Sequence, residues 1–178
     1  MAYTGFIANP EYTRRTQNEN IEGDWTFKGT LTAEKVIRGI SLATYYGDLA
    51  EYYTYDIDEV IPKGSLVKFG GDNEITKCRP NDKICFGVIS SNPGVELNKS
   101  IDDKKEEHLP VALCGKVPCR VRGKVKKFSK LTTSKIPGVA KQKSLLDSLL
   151  GKPTIGIALE DKDNSLEKLI TIFVRAQF

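Results

Sequence analysis

From Asp56 onward the chain is a succession of short apolar and β-branched runs cut by turn residues, and this pattern constrains the fold more than any other feature. Val60-Ile61 precedes Pro62-Lys63-Gly64, and Leu66–Phe69 precedes Gly70-Gly71-Asp72-Asn73. Ile84–Ile89 runs into Asn92-Pro93-Gly94. Leu109–Leu113, Val117–Val121, Val125, Leu131, Val139 and Thr154–Leu159 continue the series, and Leu169–Val174 closes it. Runs of this length cannot make buried helices, but they suit strands. Gly, Pro, Asn and Asp between them supply the φ values and local hydrogen bonds of turns. The expectation is a mainly β chain ending in a β-sandwich or barrel-like domain over 46–178. One helix is expected, at Gln142–Leu150, where Leu145, Leu146, Leu149 and Leu150 have helical spacing and Gly151 and Pro153 stop the run. A short repeat is also visible. Val60-x5-Leu66 before Phe86-Gly87-Val88 parallels Val125-x5-Leu131 before Ile155-Gly156-Ile157.

Two segments precede this domain. Residues 1–20 carry few bulky apolar groups, and a peptide so poor in them cannot fold alone. It is either a frayed terminus or an extended docking peptide, with Tyr3, Phe6, Ile7, Tyr12, Arg14 and Arg15 as candidate anchors. Residues 21–45 hold the cleanest alternation. Gly23, Trp25, Phe27, Gly29, Leu31 and Ala33 fall on one face, and Asp24, Thr26, Lys28, Thr30, Thr32 and Glu34 on the other. Nothing before this strand can pair with it as a hairpin. It pairs with a distant strand of its own chain, or with copies of itself, burying Trp25, Phe27 and Leu31 at a symmetry axis. Ser41–Tyr55, which holds five of the seven tyrosines, is expected to be a turn or short helix with an aromatic packing face.

Charge is unevenly spread. Of a net +4, Gly115–Lys152 carries +10, with eleven Lys/Arg and only Asp147 against them, so the remainder of the chain is −6. Lys116, Arg120, Arg122, Lys124 and Lys126 recur every second or fourth residue. On one strand they would share a face suited to phosphates or acidic glycans, or would form a solvated surface paired with acidic neighbours. The single aromatic nearby, Phe128, argues against nucleic acid.

Catalytic patterns are absent. The one His, His108, sits in a charged loop beside Glu106-Glu107. With no second His, and with C-x6-C and C-x4-C spacings, the four cysteines read as buried thiols rather than as zinc ligands or bridges. Asp161, Asp163, Ser165 and Glu167 alternate like a calcium loop, but Leu166 stands where such a loop needs Gly, so a turn is expected. No metal, cofactor or catalytic residue is expected. No run is long and apolar enough to span a membrane, and the first twenty residues lack the apolar stretch of a secretion signal, so use without secretion is expected.

Two stretches resemble known families. Ile21-Glu22-Gly23-Asp24-Trp25-Thr26-Phe27-Lys28-Gly29-Thr30-Leu31 resembles stem segments of tailed-bacteriophage fibre and appendage proteins. Tyr46-Gly47-Asp48-Leu49-Ala50-Glu51-Tyr52-Tyr53 begins a second series. It continues with Ile61–Val67, Gly87–Pro93 and Ala112–Pro118, and it is similar to a C-terminal β-domain of phage fibres related to the peptidase G2 domain. The resemblance implies a homotrimeric virion protein, assembled in the host cytoplasm and docked by its N-terminus on a capsid, collar or tail protein. A short intertwined stem would follow the anchor, and the distal domain would meet host surface glycans. Some such domains act as intramolecular chaperones that cut themselves free. With no long fibre ahead of the domain, self-cleavage is not expected here. Two alternatives stay open: a self-processing chaperone domain of a tail appendage, and a monomeric β-domain that binds an anionic ligand.

Overall fold

His108–Val121 forms one strand of fourteen residues, and the other elements are arranged around it. The computed structural model describes residues 47–99 and 108–175. In chain order the strands are β1 (Gly47–Thr54), β2 (Leu66–Phe69), β3 (Ile75–Lys77), β4 (Gly87–Ile89), β5 (Val95–Leu97), β6 (His108–Val121), β7 (Lys130–Thr133), β8 (Ala140–Gln142), β9 (Gly156–Ala158) and β10 (Lys168–Arg175). One short helix, α1, spans Leu145–Leu149. The expected anchor (Tyr3, Phe6, Ile7, Tyr12, Arg14, Arg15) and stem (Trp25, Phe27, Leu31) lie outside the described residues.

β6 serves both lobes of one ten-stranded sheet because it is bulged. Its partner β1 meets it at Leu49↔Cys114 and next at Ala50↔Ala112, so Leu113 is an extra residue on β6. A bulge reverses which parity faces inward. Ala112 on one side of it and Val117, Cys119 and Val121 on the other therefore all enter one core. Gly115 makes the bend with φ at 113°. A Cβ there would stand 2.0 Å from the Gly47 carbonyl oxygen, so only glycine fits.

The C-terminal half of β6 closes a barrel. β6 pairs antiparallel with β10, β10 with β9, β9 with β7 and β7 with β8. β8 returns to β6 in parallel at Val121↔Ala140. The interior is filled by Val117, Cys119, Val121, Leu131, Ala140, Ile155, Ala158, Ile170, Ile172 and Val174. The N-terminal half of β6 carries a smaller lobe, with β1 on one edge and β4, β2 and β3 in order on the other. β5 joins β1 in parallel. Ile61, Val67, Ile75, Phe86, Ile89 and Val111 form this lobe's core under Tyr53 and Tyr55. Phe69 stacks on Phe86 at 3.9 Å, with Tyr53 edge-on to both. The tyrosine segment thus packs as an aromatic face, but it does so as strand β1 rather than as a turn or helix. Its alternation was hidden because β1 is half-buried along most of its length.

The repeat is a structural duplication with a corrected register. The turn amide of Gly64 bonds the Ile89 carbonyl as Phe128 bonds Ala158, and Ser65 bonds Pro62 as Ser129 bonds Lys126. Likewise Phe86 bonds Val67 as Ile155 bonds Leu131, and Cys78 bonds Leu66 as Lys143 bonds Lys130. Val67 therefore corresponds to Leu131, and buried Ile61 to buried Val125. The sequence alignment was one residue out because Leu66 and Leu131 look alike.

Two further expectations change. Cys78 and Cys85 are bridged, not free, with Cα atoms 6.1 Å apart, a separation a disulfide spans. Backbone bonds from Cys78 and Phe86 to β2 hold both sulfurs over the same strand. Cys119 is a buried thiol whose pKa burial pushes up to about 12, while Cys114 is exposed. The helix exists, but its leucines point outward, with Leu145 and Leu149 more than 80% exposed. The residue it buries is Asp147.

Phe128 occupies the left-handed position (φ 67°) that Gly64 holds in the first repeat, and it is 69% exposed. A side chain in that conformation costs about 1–2 kcal/mol. Phe128→Gly is expected to raise stability by about 1 kcal/mol in denaturant unfolding. Gly64→Ala is expected to lower it by more, because a Cβ there meets Leu169 at 2.5 Å. Loss of stability in Phe128→Gly would show that the exposed ring contributes to folding.

Candidate functional site

The basic stretch does not form one row. β6 ends at Val121, and Gly123, at φ 88°, turns the chain. Lys116 and Arg120 point outward from β6, whereas Arg122, Lys124 and Lys126 lie on the segment after it. Arg120 is paired: its Nη2 lies 2.5 Å from Glu167 Oε1, and it reaches Ser65 Oγ at 3.4 Å. Lys116, Arg122, Lys124 and Lys126 are exposed.

The structure instead gathers cations that are distant in sequence. Arg122, Lys135, Lys141 and Lys152 line a cavity of about 610 Å³, together with Ser134 and Ser165. Asp147, the only acidic residue of the basic stretch, organises one wall. Its carboxylate sits 2.6 Å from Lys141 Nζ and 3.4 Å from Lys152 Nζ. It also closes the α1 capping box with Ser144. Burial acts to raise its pKa, but the hydrogen bonds from Lys141 and Ser144 outweigh it and hold the carboxyl well below the usual range. Arg122 and Lys135 have no carboxylate partner among the described residues, so the cavity keeps a positive excess. Sequence spacing concealed this group because β8, α1 and the loops around them bring it together.

The Asp161–Glu167 turn contains an internal cation. Lys162 is buried and donates to the Gly123 carbonyl at 2.8 Å, the Asn164 carbonyl at 2.7 Å and Asn164 Oδ1 at 3.0 Å. The segment is the turn expected from its sequence, and the oxygens around its ammonium come from Gly123 and Asn164 rather than from the alternating acids. Desolvation lowers its pKa. Among the described residues no group of three His, Cys, Asp or Glu side chains is placed to hold a metal. His108 starts β6 opposite Thr54.

A second site went unflagged in the residue-level reading. Asp48, on β1 opposite Gly115, is 5% exposed, and its Oδ2 has no hydrogen-bond partner among the described residues. A buried carboxylate oxygen without a donor is costly and is rarely retained for structure alone. Its parity becomes readable only once β1 is known to be a strand. Asp48 falls on the same inward face as Ala50, an acid where the alternation calls for an apolar residue. On the opposite face, Glu51 accepts from the Tyr53 hydroxyl at 2.7 Å. Burial, then that bond, raises the tyrosine's pKa. A carboxyl placed like Asp48 can take or give a proton at a peptide bond laid against it.

Residues 4–110 match the Peptidase_G2 model, described as the IMC autoproteolytic cleavage domain, and the chain belongs to this family. The fold is also that of a solved phage structure, the pre-mature bacteriophage phi29 gene product 12, at TM-score 0.55 and 19% identity. That match covers 81% of this chain and 24% of the phage chain, so this protein spans about a quarter of that relative. The phi29 gene product 12 C-terminal fragment matches at TM-score 0.50 and 20% identity, over 73% of this chain and 100% of the fragment. No curated protein matches.

Asp147→Asn tests the cavity wall. A carboxyl with a depressed folded pKa contributes stability above its unfolded value of about 3.9, and that contribution is lost as pH falls through the folded value. The variant is expected to lose about 2 kcal/mol at pH 7 and to show a flatter acid limb below about pH 4 in thermal melts. An unchanged acid limb would remove Asp147 from this role.

Proposed function

We propose that this chain is a structural appendage module of a bacteriophage virion, assembled as a homotrimer in the host cytoplasm. The observation that carries this reading is the peptidase G2 family membership, joined to a fold shared with the whole C-terminal fragment of phi29 gene product 12. In this reading Tyr3, Phe6, Ile7, Tyr12, Arg14 and Arg15 dock on a capsid, collar or tail protein. Trp25, Phe27 and Leu31 meet their copies in a stem, and the barrel drives assembly. The exposed cations, Lys124 and Lys126 with the Arg122 cavity, give the module weak adsorption to acidic host glycans. Lys124→Glu/Lys126→Glu is expected to lower retention on a sulfated-dextran column without changing the melting temperature. Unchanged retention would overturn the adsorption role.

The autoproteolytic family description and the Asp48 oxygen without a partner among the described residues favour a second reading, in which the module cuts its own chain. Asp48 would then serve as the acid–base group, on a strand entered directly from the undescribed residues 1–46.

Light scattering and intact-mass measurement on one preparation test both readings. A native mass of about 59 kDa, three times the 19.8 kDa chain, supports the trimer, and a monomer overturns it. A shortened chain in the wild type that stays full length in Asp48→Asn supports self-cleavage through Asp48. A wild type that remains intact after trimer formation removes that reading and leaves the structural one.

A further inference from the structure

The described lobes have opposite charge. Residues 47–99 carry nine Asp/Glu against six Lys/Arg, and residues 108–175 carry fourteen Lys/Arg against five Asp/Glu. The asymmetry coincides with two exposed patches that are each part apolar.

The first patch is on the outside of the barrel. Lys130 pairs with Ile157, Ile157 with Phe173 and Phe173 with Lys116, so these four side chains form a row across β7, β9, β10 and β6. All four are exposed, Ile157 at 38% and Phe173 at 41%. A groove of about 320 Å³ runs beside Ile157 and Phe173, between Lys130 and Arg175. The centre of the row is apolar and its two ends are cationic. An interface of this kind has a desolvated middle with charges at its rim.

The second patch is on the small lobe. Ile57 and Val60 are exposed at 61% and 75% on the loop after β1, beside the exposed Asp58. The β2–β3 hairpin adds exposed Asp72 and Glu74. Glu74 ties the hairpin to β1 by accepting from the Thr54 amide at 2.7 Å, and Glu59 ties the loop to β3 by accepting from Thr76 Oγ1 at 2.7 Å. The three segments therefore present one surface, with an apolar middle and an anionic edge.

A closed ring of identical chains needs two different surfaces that fit each other, because each copy offers one face to the neighbour on one side and another to the neighbour on the other. We infer that the Lys116–Phe173–Ile157–Lys130 face docks on the Ile57–Val60 and Asp72–Glu74 surface of the next copy. The occupant of both patches is then a second copy of this chain, selected by charge complementarity around an apolar centre. This inference rests on the trimer reading above and names the surface that would build it.

Charge reversal with rescue tests it, by sedimentation of the full-length chain over a dilution series. Lys116→Glu/Lys130→Glu and Asp58→Lys/Asp72→Lys are each expected to raise the concentration at which the assembly dissociates at least tenfold. The chain carrying all four changes regains complementarity with its polarity inverted, and is expected to return to within a few-fold of the wild type. Reversed chains that assemble as the wild type does, or a fourfold variant no better than either double, would overturn the docking surface while leaving the trimer standing. A monomeric wild type would remove the assembly reading itself. Should a reversed chain lose its strand signal in circular dichroism, amide exchange on the wild type decides. Protection at 57–60 and 156–173 that disappears on dilution supports the interface, and protection indifferent to dilution overturns it.

Discussion

The one extra residue on β6 is the constraint from which the rest of the structure follows. Without the bulge at Leu113, Val117, Cys119 and Val121 would turn outward while Ala112 stayed inside, and one strand could not fill two connected cores. The bulge also places Gly115 against the Gly47 carbonyl, where no side chain is tolerated. The same contact sets Asp48 opposite Gly115 with its carboxylate turned inward. The device that joins barrel to lobe thereby buries a carboxylate oxygen that has no hydrogen-bond partner among the described residues. A strand position that must be tight for packing reasons is also a place where a carboxyl can be kept out of water.

The cationic side of the molecule shows a related economy of placement. Asp147 is one carboxylate with three tasks: it caps α1, it fixes Lys141, and it approaches Lys152. Because the helix is held by this polar anchor, its leucines need not enter the core, and they do not. Arg120 is paired with Glu167, and Lys162 is buried against backbone oxygens. The positive field therefore comes from the remainder, chiefly the cavity residues and the solvent-facing lysines near Phe128. Counting charges along the chain overstated the strip and missed the cluster.

Much of the fold was legible because turn residues and alternation report directly on a β-domain. Leu169–Val174 is the inner six of the eight residues of β10, and Leu66–Phe69 is β2. The features that escaped reading share a physical origin in that they depend on pairing between distant residues. β1 carries polar and aromatic side chains on both faces because it is half-buried on both, so no period stands out. The Cys78–Cys85 bridge depends on both cysteines returning to β2, which spacing does not reveal. Asp48 could not be picked out, because its inward parity exists only once β1 is paired with β6. The lysines of the cavity come from β8 and two loops, and no linear motif groups them.

The duplicated turn shows how a repeated backbone can hold while its side chains drift. Gly64 and Phe128 occupy equivalent positions and make equivalent amide bonds, to Ile89 and to Ala158. At Gly64 the neighbouring Leu169 closes off any larger residue, so that copy is fixed by its surroundings. At Phe128 no such wall stands over the ring, and Lys127 has settled beside it at 5.1 Å. One copy of the turn therefore admits only glycine, the other tolerates a large exposed side chain, and the basic surface of the molecule lies around the tolerant copy.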